Sequence, residues 1–158
     1  MKSVRRTPAA AALTDLVLDL FRLSSRMVAA GDRLVAHLGL TSARWQILGS
    51  IVGADRPQPV AWLARDMGSN RQNVQRIVND LEKEGLVAFR PNPHHRRAQL
   101  VILTDKGKKA FDAAMRLQAV WANALAEGLR VEDIETTRSV MSMLRSRMEA
   151  TGDAEDQG

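Results

Sequence analysis

Between residues 69 and 83 the chain sets out amides and cations at helical spacing: Ser69, Asn70, Arg71, Gln72, Gln75, Arg76, Asn79 and Lys83. The chemistry open to these side chains is recognition. Gln and Asn can hold an adenine edge through two hydrogen bonds, and Arg can do the same for guanine. With Val74 set at 0° and about 100° per residue, Val74, Ile77, Val78 and Leu81 fall within about 60° of zero. Gln72, Arg76, Asn79 and Lys83 fall within about 40° of the opposite pole. Gln75 flanks that polar face, and Asn70 and Arg71 occupy the exposed first turn. Asp80, Glu82 and Glu84 are close in sequence, yet no acid stands among the four central members, where phosphate would repel it.

A second set follows. Arg90 precedes the stretch Asn92-Pro93-His94-His95-Arg96-Arg97, which places two arginines on a narrow loop. Such a loop can reach a minor groove, where arginine meets concentrated negative potential. Each set also has a plainer reading, since any solvated helix turns polar residues outward and a charged turn can simply be solvated.

Other chemistries find little support. The chain has no cysteine, which excludes disulfides, thiolate metal sites and cysteine redox sensing. The adjacent pair His94 and His95 lacks the spacing of a helical metal pair, so no metal is expected. No serine, histidine and acid fall in a catalytic pattern, and no Gly-rich phosphate loop is present. The chain therefore reads as a non-enzyme without a cofactor. No apolar run suits a signal peptide or a membrane span, which predicts a soluble cytoplasmic protein with no membrane partner.

The net charge of +5 means little alone, but its distribution is informative. Residues 56–109 hold eleven Lys and Arg against five Asp and Glu, a net of +6, leaving −1 for the remainder. A surface that faces phosphate requires this concentration.

The elements that must position these side chains follow from apolar spacing. At 158 residues the chain suits one core. Apolar residues at 13, 16, 17, 20, 27, 28, 34, 35 and 38 predict a first helix ending near His37 or Gly39. Thr41 or Ser42 caps a second, whose expected buried face is Trp45, Leu48, Ile51 and Val52. Pro59 opens a third helix over Val60 to Met67, with Val60, Leu63, Ala64 and Met67 facing inward. Gly68 stops it, and Ser69, with Gln72 three residues on, is the expected cap of the fourth helix, which runs to Glu84 and closes at Gly85. Leu86 to Arg90 and Gln99 to Thr104 read as a hairpin around Pro91-Asn92-Pro93. Thr104 or Asp105 caps a fifth helix bearing Ala110, Ala113, Leu117, Val120, Trp121 and Leu125. A sixth starts near Val131, with Ile134, Met141 and Met148 seven residues apart and Leu144 between them. Helices three and four with the hairpin give a winged helix-turn-helix over about 57–109.

In this order the residues resemble the MarR family of winged-helix regulators over roughly Leu13 to Met148. Leu40-Thr41-x-x-x-Trp45-x-x-Leu48 matches at the second helix, and Leu63-Ala64-x-x-Met67-Gly68-x-x-Arg71-Gln72-x-Val74 across the turn. Leu81-Glu82-x-x-Gly85-Leu86-Val87 leads into the wing, and Asn92-Pro93-x-x-Arg96-Arg97-Ala98-x-Leu100-x-x-Leu103-Thr104-x-x-Gly107 closes it.

The resemblance implies a mainly α fold with a small β-hairpin wing, in which N- and C-terminal dimerisation helices flank the winged helix-turn-helix. One MarR-like domain would then have dimerisation helices at 13–38 and 107–150 and flexible tails at 1–12 and 151–158. The implied partners are a second copy, making a homodimer, and double-stranded DNA carrying a pseudo-palindromic operator. Arg97 would enter the minor groove, with Arg96 supporting it or meeting phosphate. Many family members carry Asp where this chain has His95, an acid that helps orient the wing arginine. The resemblance also implies a small phenolic or aromatic carboxylate effector in a cleft between the dimer helices and the reading head. Trp45, Trp121, Met27 and His37 would line it, and Arg22 or Arg26 would meet the carboxylate. Tryptophan and methionine at helical spacing equally serve as core.

The resulting expectation is a sequence-specific repressor released by a ligand. The alternatives are a winged-helix protein-interaction module and an architectural DNA binder without ligand control.

Overall fold

A computed structural model describes residues 5–155 of the chain. The elements run α1 (Pro8–Val35), a 3-10 turn (Ala36–Leu38), α2 (Ser42–Gly53), β1 (Gln58–Pro59), α3 (Val60–Asp66), α4 (Arg71–Lys83), β2 (Val87–Arg90), β3 (Leu100–Leu103), α5 (Asp105–Ala126) and α6 (Val131–Glu155). The chain is mainly α with a small antiparallel sheet, as expected. It divides into two compact units, one ending at Ala119 and the other beginning at Val120.

The core of the first unit forms around α4. Val74, Ile77, Val78 and Leu81 are all buried, as their spacing predicts. They pack in one cluster with Leu63 and Ala64 of α3, Ile47 and Leu48 of α2, and Val87 and Val101 of the sheet. On α2 the expected face is half right: Leu48 is buried and Trp45 and Ile51 are partly so, but Ile47, not expected, is buried beside Leu48 and Val52 is exposed. The α2 face turns toward α4 and β3, so its centre falls on Ile47 and Leu48.

Local caps set the helix ends. Thr7 accepts a hydrogen bond from Ala10 N, and Pro8 occupies the first turn. α1 therefore begins inside the segment 1–12 expected as a flexible tail, because the alanines after Pro8 are strong helix formers. At the other end α6 continues to Glu155, past residue 151 where a tail was expected. Residues 1–4 and 156–158 lie outside the described residues.

α2 is held to α1 by Ser42, whose backbone N–H donates to Asp32 at 2.6 Å and whose hydroxyl donates to Val28 O at 2.7 Å. A Cβ at Gly31 would strike the Ser42 hydroxyl, so glycine permits this approach. Thr41 caps α2 by accepting from Arg44 N.

The sheet has the order β1-β3-β2 and contains one strand more than the hairpin reading supplies. Gln58 pairs with Val101 and Pro59 with Leu100. Pro59, expected inside the first turn of α3, instead ends β1 and precedes the helix. Proline has no N–H to donate, which suits it to an edge strand. Across the hairpin, Phe89 faces Val101 and Arg90 faces Leu100.

In the second unit α6 follows Gly128, which has φ of 78°. Met141 and Leu144 are half-buried, while Ile134 and Met148 are exposed.

Candidate nucleic-acid interface

Everything the reading head presents depends on how α4 is mounted. After α3, Gly68 takes φ of 61°, and the Ser69 N–H reaches back to Ala64 O at 2.8 Å, a turn that glycine enters without steric penalty. The cap of α4 is Asn70, not Ser69: its side-chain oxygen accepts from Gln72 N at 2.9 Å and Asn73 N at 3.2 Å. Ser69 stands one residue before the cap, where its N–H closes the α3 turn. Sequence rules allow either residue, and the tertiary path of the turn selects Asn70.

The far end of α4 is clamped. Gly85 has φ of 74°, and Leu86 N donates to Leu81 O at 2.9 Å. Arg44 of α2 holds Glu84 with two parallel bonds, 2.9 Å and 2.7 Å, while donating to Gly39 O. Lys106 of α5 donates to the Glu84 backbone oxygen at 2.7 Å. The Arg44 hydrogen bonds hold the Glu84 carboxyl below the usual carboxylate range, its partial desolvation opposing and the Arg44 and Lys106 charges assisting. Sequence reasoning passed over Arg44, which has no periodic signature.

The outward face of α4 is polar as projected. Gln72, Arg76, Asn79 and Lys83 are exposed, as are Ser69, Asn70 and Arg71, and Gln75 is half-buried. Several of these side chains are tied to one another. Gln75 donates to Asn79 at 2.9 Å. Arg76 donates to Asn73 at 2.9 Å and lies 3.8 Å from Asp80. Asn73 is thus part of the face although the sequence reading leaves it out, and Asp80 reaches Arg76 despite its distance from the pole.

The wing begins at Arg90, which is exposed, and its tip is ordered by Asn92. The Asn92 amide donates to Ala98 O at 2.9 Å, its side-chain oxygen accepts from His94 N at 3.0 Å, and its backbone oxygen accepts from His95 N at 3.2 Å. Arg96 and Arg97 are exposed and make no hydrogen bond or ion pair among the described residues. No bond links the His95 side chain to Arg97 among those residues either.

Arg97 is brought together with α4. A cleft of about 230 Å³ is lined by Arg71, Gln75 and Asn79 of α4 and by Arg97 and Gln99 of the wing. Residues 71, 75 and 79 are one turn apart, so they form a ridge that meets the wing, and no acid lines the cleft. Gln72, Arg76 and Lys83 stand outside it.

Of the residues expected in an effector cleft, three lie on α1 and the other three on the 3-10 turn, α2 and α5. Arg22 pairs with Asp19 at 3.3 Å on α1, and Arg26 and Met27 are exposed on the same helix. His37 is exposed in the 3-10 turn, and Trp45 packs partly buried against the core. In the second unit, Trp121 is half-buried on α5.

Comparison with known proteins returns a consistent picture. A model of the MarR family matches residues 38–98. An uncharacterised protein of Mycobacterium tuberculosis is 37% identical over 123 residues, covering 78% of this chain and 85% of the relative. The transcriptional activatory protein BadR of Rhodopseudomonas palustris is 26% identical, covering 87% and 81%. Among solved structures, the repressor CouR bound to a 23-mer DNA duplex superposes with a TM-score of 0.73 at 25% identity, covering 90% of this chain and 99% of that one. CouR from Rhodococcus jostii RHA1 has also been solved with p-coumaroyl-CoA, at a TM-score of 0.74 and 21% identity over 82% and 91%.

Proposed function

The chain belongs to the MarR family of DNA-binding transcription regulators, and from that premise we propose that it represses a promoter as a homodimer seated on a pseudo-palindromic operator. Two of the proteins it resembles, BadR and CouR, are by name transcriptional regulators. Among the described residues no helix is long and apolar enough to cross a membrane. The observation that carries the proposal is the acid-free cleft in which the ridge Arg71, Gln75 and Asn79 meets the wing arginine Arg97. α4 would enter a major groove with Gln72, Gln75, Arg76 and Asn79 toward base edges. Ser69, Asn70, Arg71, Lys83 and Arg90 would hold phosphate, and Arg96 and Arg97 would follow the minor groove beside His95.

Dimerisation supplies the second reading head. α1 exposes Leu18, Phe21 and Leu23, and the second unit exposes Val120 and Met148, apolar surface that a second copy would cover. Two heads spaced by about 34–36 Å would read successive major grooves. A small aromatic ligand would release the protein by favouring another spacing; CouR, which shares the fold, has been solved with a ligand that carries a phenolic ring, p-coumaroyl-CoA. BadR, by its name, favours a second reading in which the bound dimer activates.

The test is selection of bound duplexes from fragmented genomic DNA, followed by fluorescence anisotropy against a scrambled duplex across salt. Repression predicts tight, sequence-dependent binding and increased transcription of the adjacent gene when this protein is absent. Equal affinity for both duplexes would leave only an architectural binder, and no binding would leave a protein-docking module.

A further inference from the structure

A buried polar joint fastens α1 to α2, and the DNA interface makes no use of it. Ser42, only 4% exposed, is at its centre. The Ser42 hydroxyl is not spent on capping α2, which Thr41 does, but on Val28 O of α1. Its N–H goes to the Asp32 carboxylate, also on α1. α2 has no acid in its own first turn, so Asp32 supplies from the neighbouring helix the negative charge that a helix N-terminus favours. Gly31 lies against the Ser42 hydroxyl with no room for a Cβ, so the two helices meet there at close approach. Apolar packing is non-directional, whereas hydrogen bonds weaken steeply when bent, so this joint fixes an angle as well as a contact.

Two residues farther along α2, Arg44 grips Glu84 at the end of α4. Ile47 and Leu48 share a core cluster with Val74 and Val78 of α4. α2 is thus a strut, tied to α1 at Ser42 and to α4 over the turns that follow. In a dimer joined through α1, the tilt of α1 on this strut would decide where each reading head falls. The tolerance is narrow. Over a small-domain diameter of about 30 Å, a tilt of about 7° displaces a head by roughly 3.5 Å, close to the rise of one base pair.

We propose that Asp32 and Ser42 are positioning residues for operator recognition: their joint fixes the angle between α1 and the reading head, and with it the half-site spacing that the dimer accepts. The choice of spacing rests on the proposed function, whereas the stiffness of the joint does not.

The chain has no cysteine, so spin labels attach only where one is introduced. Asp15→Cys on α1 and Glu82→Cys on α4, both at exposed positions, report the α1–α4 distance within one full chain when labelled protein is diluted into unlabelled protein. Pulsed electron paramagnetic resonance should give a narrow distance distribution that broadens at least twofold in Asp32→Ala. Asp32→Asn should restore it, because its side-chain oxygen still accepts from the Ser42 N–H. A distribution as narrow in Asp32→Ala as in the parent overturns the joint. Fluorescence anisotropy then compares the selected operator with versions that have one base pair added or removed between the half-sites. The wild type should lose at least tenfold in affinity on either change and Asp32→Ala at least threefold less than that, while the two bind an isolated half-site within twofold of each other. Equal losses on the altered spacings overturn the link to operator choice. Should Asp32→Ala fail to fold, Ser42→Ala, which removes the hydroxyl bond and keeps Asp32, takes its place in both measurements. If the wild type binds no duplex at all, the proposed function fails while the distance distribution still decides the joint.

Discussion

At the scale of single residues, Arg97 combines two properties that matter for DNA. It makes no ion pair among the described residues, and it shares a cleft with Arg71, Gln75 and Asn79. A guanidinium without an internal partner does not have to break one to meet a groove. Arg97→Ala is expected to weaken operator binding by about 1–3 kcal/mol while the oligomeric state stays unchanged, as anisotropy and sedimentation would measure. Gln75 donates to Asn79, which leaves its carbonyl oxygen and the Asn79 amide for a base edge. Gln75→Ala should relax discrimination at one base pair by about 1–3 kcal/mol, whereas a uniform loss on all duplexes would make its contact a phosphate contact. The polar stripe of α4 was legible because burial of Val74, Ile77, Val78 and Leu81 forces the other side outward. Trp62 carried a readable signal that went unused: α3 faces inward at 60, 63 and 64, which leaves position 62 toward solvent.

At the scale of elements, the orientation of α4 depends on joints at its C-terminal end. Glu84 has its carboxyl pKa lowered chiefly by the Arg44 hydrogen bonds. The folded chain therefore releases this proton at lower pH than the unfolded chain does. The stabilisation is complete above the ordinary carboxylate range and is lost as pH falls through the lowered value. Because the Glu84 side chain is 46% exposed, its pair with Arg44 is worth about 0.5–1 kcal/mol at pH 7. Glu84→Gln should lose that amount by thermal unfolding at pH 7 and draw level with the wild type once the pH has fallen below the lowered Glu84 value, while a deficit independent of pH would point to packing. At the next joint, Thr104 accepts from Gly107 N and donates to Gly85 O at 2.6 Å. A Cβ on Gly107 would collide with the Leu86 carbonyl. Gly107→Ala is expected to destabilise by about 1–3 kcal/mol, read as a lower Tm.

At the scale of the whole molecule, the long helices leave apolar surface uncovered in one chain: Phe21 is 67% exposed, Val120 73% and Met148 75%. Phe21→Glu combined with Leu18→Glu should shift the protein to the mass of one chain in sedimentation equilibrium and reduce operator affinity to that of a half-site. A dimer that survives both substitutions would move the interface away from this part of α1. The amino-acid sequence by itself determined the helices, the stop glycines and the basic middle segment, because each follows from periodicity, backbone freedom or composition within a few residues. Only the tertiary structure decided that Asn70 caps α4, that Gln58 and Pro59 form a third strand, and that the 71, 75, 79 ridge meets Arg97. The cap follows from the path of the α3–α4 turn, while the third strand and the meeting of ridge and wing depend on β3 pairing with residues some forty positions earlier, and long-range pairing leaves no local period to read.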